Sequence, residues 1–314
     1  MKSTRGISWF GVGVGASRMT LRTIPVALFG LVMPLLAAAQ PSPVCDGRLF
    51  LSQDSPTGLK LINTNTNPMT FQAIGAVSNV TYNALGYSPT NGVLYAMQAN
   101  SNTNHLLSLN QTTGAVTDLG AVTGLPGSPA TYNAGTVGTD GTYYVKPYGP
   151  TQVIYAINTG ALSATAINLS TAFEASDIAW VGGAGGGLYS VADNGQLYSI
   201  ATTGMVSAIG SPDATGGVLG AQFGGTNGLF GSANNASGFY GINLTSGQKT
   251  KMSDAPGSGN NDGGNCPNAA IQIGPIPPKP TAPTPVPVDS PWMLSLAALL
   301  AGLLARRTLP GARR

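Results

Sequence analysis

Side chains able to do acid–base chemistry are scarce in this chain. Charged residues make up 8% of it, against roughly 25% in an ordinary globular protein. His105 is the single histidine, and no Gly-x-Ser-x-Gly elbow accompanies it, so a Ser-His-Asp arrangement has little to build on. One histidine and two cysteines are too few for a His/Cys metal cage, and no Asp-x-[Asp/Asn]-x-[Asp/Asn]-Gly loop occurs. No metal and no other cofactor is expected. Glu174 and Asp177 are the one tight carboxylate pair. Just ahead of an expected strand, they suit turn capping, or an acid/base or calcium role if they face a channel. Tyr82-Asn83 and Tyr132-Asn133 open two equivalent segments. Tyrosine beside asparagine suits a carbohydrate or a peptide where exposed, and core and turn duties where not.

The elements that must position these residues are set by a repeat. The pairs Asp46-Gly47, Asn91-Gly92, Asp140-Gly141, Gly186-Gly187 and Asn227-Gly228 each precede a short aromatic strand, with the second glycines spaced by 45, 49, 46 and 41 residues. A repeat of this length indicates a solenoid or a propeller. Each pair reads as a two-residue hairpin turn whose central residues both need positive φ. A second strand follows each time (for example Leu106-Leu107-Ser108-Leu109), then a turn such as Thr113-Gly114 or Ser246-Gly247, then a third strand. A further apolar segment leads each unit, as at Tyr82 to Tyr87 and Tyr132 to Val137. Four short antiparallel strands per repeat make the blade of a β-propeller. Phe50, Tyr95, Tyr144, Tyr189 and Phe230 hold one aligned position and are read as blade-packing residues.

The first unit lacks its leading strand, and residues 268–273 are left over at the end. The expectation is therefore an all-β, five-bladed β-propeller closed by this C-terminal strand; six blades would require one degenerate blade. Closure removes the sheet edges that invite aggregation. Cys45 and Cys266 flank the interrupted blade. An even pair in an exported chain favours a disulfide, the alternative being two unrelated buried thiols.

Both ends differ from the body. Residues 1–39 read as a signal peptide: Arg18 and Arg22, an apolar run over 24–36, and Ala37-Ala38-Ala39, with cleavage between Ala39 and Gln40. The propeller occupies residues 40–273. Between Cys45 and Ile273 there are five basic and ten acidic side chains, so nothing suggests nucleic acid as a partner. Residues 274–287 are a proline-rich linker. Residues 288–314 carry an apolar stretch over 292–305 and the Arg306, Arg307, Arg313 and Arg314 cluster. As a helix that stretch is about 21 Å long, short for a bilayer of about 30 Å, yet able to enter a thin one.

Val286-Pro287-Val288-Asp289-Ser290-Pro291-Trp292-Met293, with the spacer, helix and arginines around it, resembles the C-terminal sorting signals of the PEP-CTERM class in Gram-negative bacteria. It is most similar to the IPTL-CTERM type through Pro287, Ser290 and Trp292, and departs from it at Asp289 and Met293. The resemblance implies an exosortase-like processing enzyme as partner, transient membrane anchoring through the helix, and release or display at the cell surface. A plain membrane tail is the alternative. The body, through Tyr82-Asn83-Ala84-Leu85-Gly86-Tyr87, the Gly-x-Leu-Tyr strands and Asn261-Asp262-Gly263-Gly264-Asn265-Cys266, is similar to an uncharacterised family of propeller-like domains of bacterial surface proteins. That resemblance implies no activity.

Two functional classes follow. The first is a non-enzymatic surface or matrix protein that binds a glycan, a peptide or neighbouring matrix. The second is an extracellular propeller hydrolase or lyase working through Glu174 and Asp177.

Overall fold

The computed structural model describes residues 45–183 and 185–274. The signal peptide, the Ala39–Gln40 cleavage site, the sorting motif at Pro287, Ser290 and Trp292, and the apolar stretch over 292–305 lie outside the described residues. Among the described residues every regular element is a strand.

Alternating apolar residues and Gly/Asn/Thr turns produce short antiparallel strands in groups. The first group is β1 (Leu49–Gln53), β2 (Gly58–Asn63) and β3 (Thr70–Ala73). The second blade is β4 (Tyr82–Tyr87), β5 (Leu94–Gln98), β6 (His105–Leu109) and β7 (Val116–Ala121). The third is β8 (Tyr132–Val137), β9 (Tyr143–Pro147), β10 (Thr151–Asn158) and β11 (Ser163–Phe173). β12 (Ala179–Val181), β13 (Gly187–Val191), β14 (Leu197–Ile200) and β15 (Val206–Ile209) form the fourth. β16 (Leu219–Gly225), β17 (Gly228–Ala233), β18 (Phe239–Ile242) and β19 (Lys249–Ser253) form the fifth. Finally β20 (Asp262–Asn265) pairs with β1, Leu49 opposite Asn265 and Ser52 opposite Asp262, and completes the first blade. The protein is a five-bladed β-propeller.

Period-two geometry explains how the ring holds together. Successive side chains of a strand face opposite sides of a blade, so Phe50 enters the joint with the second blade while Leu49 and Leu51 enter the joint with the fifth. Every joint has its own apolar cluster, and the five aligned aromatics are distributed one to each. Phe50 stacks on Tyr87 at 6.4 Å, Tyr144 on Trp180 at 5.5 Å and Phe230 on Phe239 at 6.2 Å. Such pairs add about 0.5–1.5 kcal/mol each to the burial itself.

Two expectations need correction. The closing strand is β20, not residues 268–273. Four blades' inner strands already crowd the axis, and the Asp-Gly-Gly-Asn of β20 is small enough to be the fifth. A methyl on Gly263 would press on the Gln222 backbone. Residues 268–273 instead run beneath the β16–β17 turn. There the Asn227 side chain donates to Ile271 O at 2.9 Å and accepts Ile271 N–H at 2.8 Å, and Ile271 is buried against the fifth blade. The repeat turns also differ from two-residue hairpins with paired positive φ. Gly92 and Gly141 adopt φ of 71° and 88°, but their Asn and Asp partners do not. Those side chains accept the backbone N–H two residues on, Asn91 from Val93 at 3.1 Å and Asp140 from Thr142 at 3.0 Å. This Asx geometry satisfies the turn without a strained non-glycine residue.

Cys45 and Cys266 form a disulfide with Cα atoms 5.3 Å apart, 221 residues apart in sequence. Disulfides persist in oxidising compartments, which points to an extracellular or periplasmic location.

Candidate functional site

The starts of the inner strands β4 and β8 and the segments leading into β12 and β20 surround a cavity of about 380 Å³ at one end of the ring axis. Asn83, Asn133, Ser176 and Asn261 stand at equivalent positions of four blades, and the fifth has Gly220 there. A methyl at Gly220 would overlap the side-chain amides of Asn234 and Asn261, so glycine is what admits them. Ser55, Thr81, Asn100, Thr131 and Asn260 extend the rim. Amides and hydroxyls make up its polar side, and among the described residues no Asp, Glu, Lys, Arg or His lines it.

Several of these groups are committed to the scaffold. Asn83 Oδ1 accepts Ala84 N–H at 2.9 Å, and Asn133 Nδ2 donates to Ala175 O at 3.2 Å. Others are not. Asn133 Oδ1 and Asn234 Oδ1 are buried acceptors without a donor. An unpaired buried polar atom costs about 1–3 kcal/mol. The Tyr82 hydroxyl is also unpaired, but the Tyr82 ring packs in the core between the first two blades. The Tyr132 hydroxyl donates to Pro126 O at 2.9 Å.

One aromatic ring stands free at the rim. Tyr148, 69% exposed, lies in the β9–β10 loop. Its N–H donates to Thr131 O at 2.9 Å. The loop is pinned from below by Lys146, fully buried, whose Nζ donates to Pro147 O at 3.0 Å and Gly149 O at 2.6 Å and lies 5.3 Å from the Phe173 ring centroid. Burial brings the Lys146 ammonium down to about 8.

Deeper in the ring two carboxyl groups meet. Asp177 and Asp262 are fully buried and hydrogen-bond one another. Asp177 accepts N–H groups from Ile178 at 2.6 Å, Gln222 at 2.5 Å and Gly263 at 3.2 Å. Asp262 accepts from Leu85 at 2.9 Å and from Gly263 at 2.7 Å. The pair thereby laces together backbone from the first, second, fourth and fifth blades. Loss of hydration raises Asp177 to about 7 and holds Asp262 well above the usual carboxylate range, helped by the neighbouring Asp177 charge.

The sequence candidates therefore separate. Tyr82, Asn83, Tyr132 and Asn133 come together around one cavity. Glu174 is exposed, while Asp177 is buried at the axis, and neither lines the mouth. His105 pairs with Asp118 at 2.8 Å across β6 and β7. Sequence reasoning missed Asn234, Asn261, Tyr148 and Asp262. Equivalence to Asn83 across the repeat was the available signal for Asn261.

A family model described as a repeat of unknown function (DUF6923) matches residues 50–268, nearly the whole ring. The chain belongs to that family. No curated protein matches the chain. Among solved structures, this repeat protein is similar to virginiamycin B lyase from Staphylococcus aureus, with 13% identity, a TM-score of 0.41 and coverage of 66% of this chain and 70% of that one. A streptogramin B lyase gives 17%, 0.41, and coverage of 64% and 67%. A nidogen/laminin complex gives 8%, 0.42, and coverage of 69% and 97%. Likeness at this level transfers no activity to the repeat family.

Proposed function

We propose that this propeller is an exported, non-enzymatic binding protein whose ligand enters the amide-lined mouth. One observation carries the reading: the mouth gathers amides and hydroxyls from all five blades, with no carboxylate, imidazole or amine among them. Hydrolysis or elimination needs a proton donor or acceptor within reach of the reacting atoms. Selective binding of an uncharged ligand needs only placed hydrogen-bonding groups. The disulfide agrees with export, and the proline-rich linker with display away from a membrane. In this reading an exosortase-like enzyme cuts near Pro287, Ser290 and Trp292, and the ring then acts at the surface or in the surrounding matrix.

The test is to block the mouth. Ala99 lines it, and Ala99→Trp would fill it. Ligands found by screening glycan and peptide arrays should lose binding to Ala99→Trp with the melting temperature retained, and should be recovered chemically intact. Ligand cleavage that is lost in Glu174→Gln would establish the hydrolase or lyase reading instead. For export, intact mass of the native protein should show a chain ending near Trp292. A product ending in Arg314 in the inner membrane would refute the processing step.

A further inference from the structure

We infer that the ligand of the mouth is a neutral saccharide, stacked on Tyr148 and hydrogen-bonded through Asn133 Oδ1 and Asn234 Oδ1; this rests on the mouth being the binding site. A sugar ring has two chemical characters, a fringe of O–H donors and a C–H face of low polarity. The mouth offers a counterpart to each.

The two buried amide oxygens lack donors within the protein, and each stands on a different blade. Both oxygens are covered in this structure, so ligand hydroxyls reach them by turning the amides towards the mouth, and they then remove the cost of leaving them unpaired. Tyr148 supplies the face. It is exposed where most large apolar side chains of the ring are buried, and it is not a loose side chain on a loose loop. Thr131 O and the Lys146 ammonium fix the backbone on both sides of it. A platform already held in place loses little entropy when a ligand settles on it.

Charge narrows the choice. No cationic side chain lines the mouth to meet a uronate, sulfate or phosphate, and no anionic one to meet an amine. An extended peptide is recognised by adding a strand to an open sheet edge, whereas the mouth presents strand starts. The volume of about 380 Å³ lies at the small end of ligand cavities and fits one or two sugar rings rather than a long chain.

The experiment is an array of neutral glycans, acidic glycans and peptides probed with the purified full chain. Titration calorimetry follows with cellotriose, maltotriose, mannotriose, chitotriose and the best array hit. At least one neutral saccharide should bind. Tyr148→Ala should weaken it by about tenfold, Tyr148→Phe should keep affinity within about threefold, and Asn234→Ala should weaken it by about fivefold. Tyr148 is exposed, so its variants should melt as the parent does. Absence of any neutral-saccharide binding, or saccharide affinity indifferent to Tyr148→Ala and Asn234→Ala, overturns the inference. A peptide or acidic glycan blocked by Ala99→Trp would overturn it too, while leaving the mouth as the binding site. Saccharide binding indifferent to Ala99→Trp would refute both.

Discussion

Raising the pH should loosen the ring, and Asp177→Asn should lessen the effect. Burial lifts both axial carboxyls, and the neighbouring Asp177 lifts Asp262 further, so the folded ring holds protons that the unfolded chain releases near 3.8. Stability is then greatest below that value and falls as the pH climbs towards and through the folded pKa. For Asp177 alone the rise from 3.8 to about 7 is roughly three pH units, or roughly 4 kcal/mol at about 1.4 kcal/mol per unit. About 2.5 of those units, roughly 3 kcal/mol, lie above pH 4.5, which in a domain of this size is a fall of roughly 6–12 °C in Tm between pH 4.5 and 7.5. Asp262 acts in the same direction. Asparagine at 177 keeps an oxygen for the Gln222 and Gly263 N–H groups and has no proton to lose. The Asp177 share of the fall should disappear in that variant. Other shifted groups lie outside the window: Asp213, which is lowered, acts only in acid, and Lys146 titrates near 8. Scanning calorimetry at half-unit pH steps decides the matter. A wild-type Tm that holds or rises over the window, or an Asp177→Asn slope as steep as the parent's, would refute the axial-lock argument.

Truncation after Ser253 removes β20 and leaves β1 an open inner edge paired only with β2, so the whole ring should lose its cooperative melt by circular dichroism rather than shed one blade. Reducing Cys45–Cys266 opens a loop of 221 residues and should lower stability by up to roughly 5 kcal/mol while the fold persists, as denaturant titration with and without reductant would show. Lys146→Met removes the donors beneath the Tyr148 loop; amide exchange should quicken at residues 147–149 while β8 and β9 stay protected.

The repeat was legible because its signals are local. Turn residues and alternating apolar residues mark β4 and β8 to the residue. The closing strand was not, because Asp-Gly-Gly-Asn carries no apolar side chain. Its selection comes from crowding at the axis, which no window of sequence records, and the apolar residues 268–273 attract the assignment instead. The mouth was half legible. Asn83 and Asn133 open recognisable strands, whereas Asn234 reaches it from a loop and Tyr148 depends on a lysine whose burial only the fold creates. Asp262 carried no signal of its own for the same reason. Its partner Asp177 lies 85 positions earlier and meets it only when the ring is shut.

The position of the disulfide has a mechanical consequence. A pull on the chain beyond Gly274, once it has freed Ile271 from Asn227, reaches the C-terminal end of β20, and antiparallel strands pulled from one end separate rung by rung. Cys266 is bonded at that end to Cys45, which leads into β1. Tension is therefore divided between two neighbouring strands before the first rung can open. β20 cannot unzip from β1 from that end while the bond is intact, and rupture must strip both strands from the blade together. A ring gripped from outside by its ligand and from behind by its own chain would resist shear with the force of several strands rather than one.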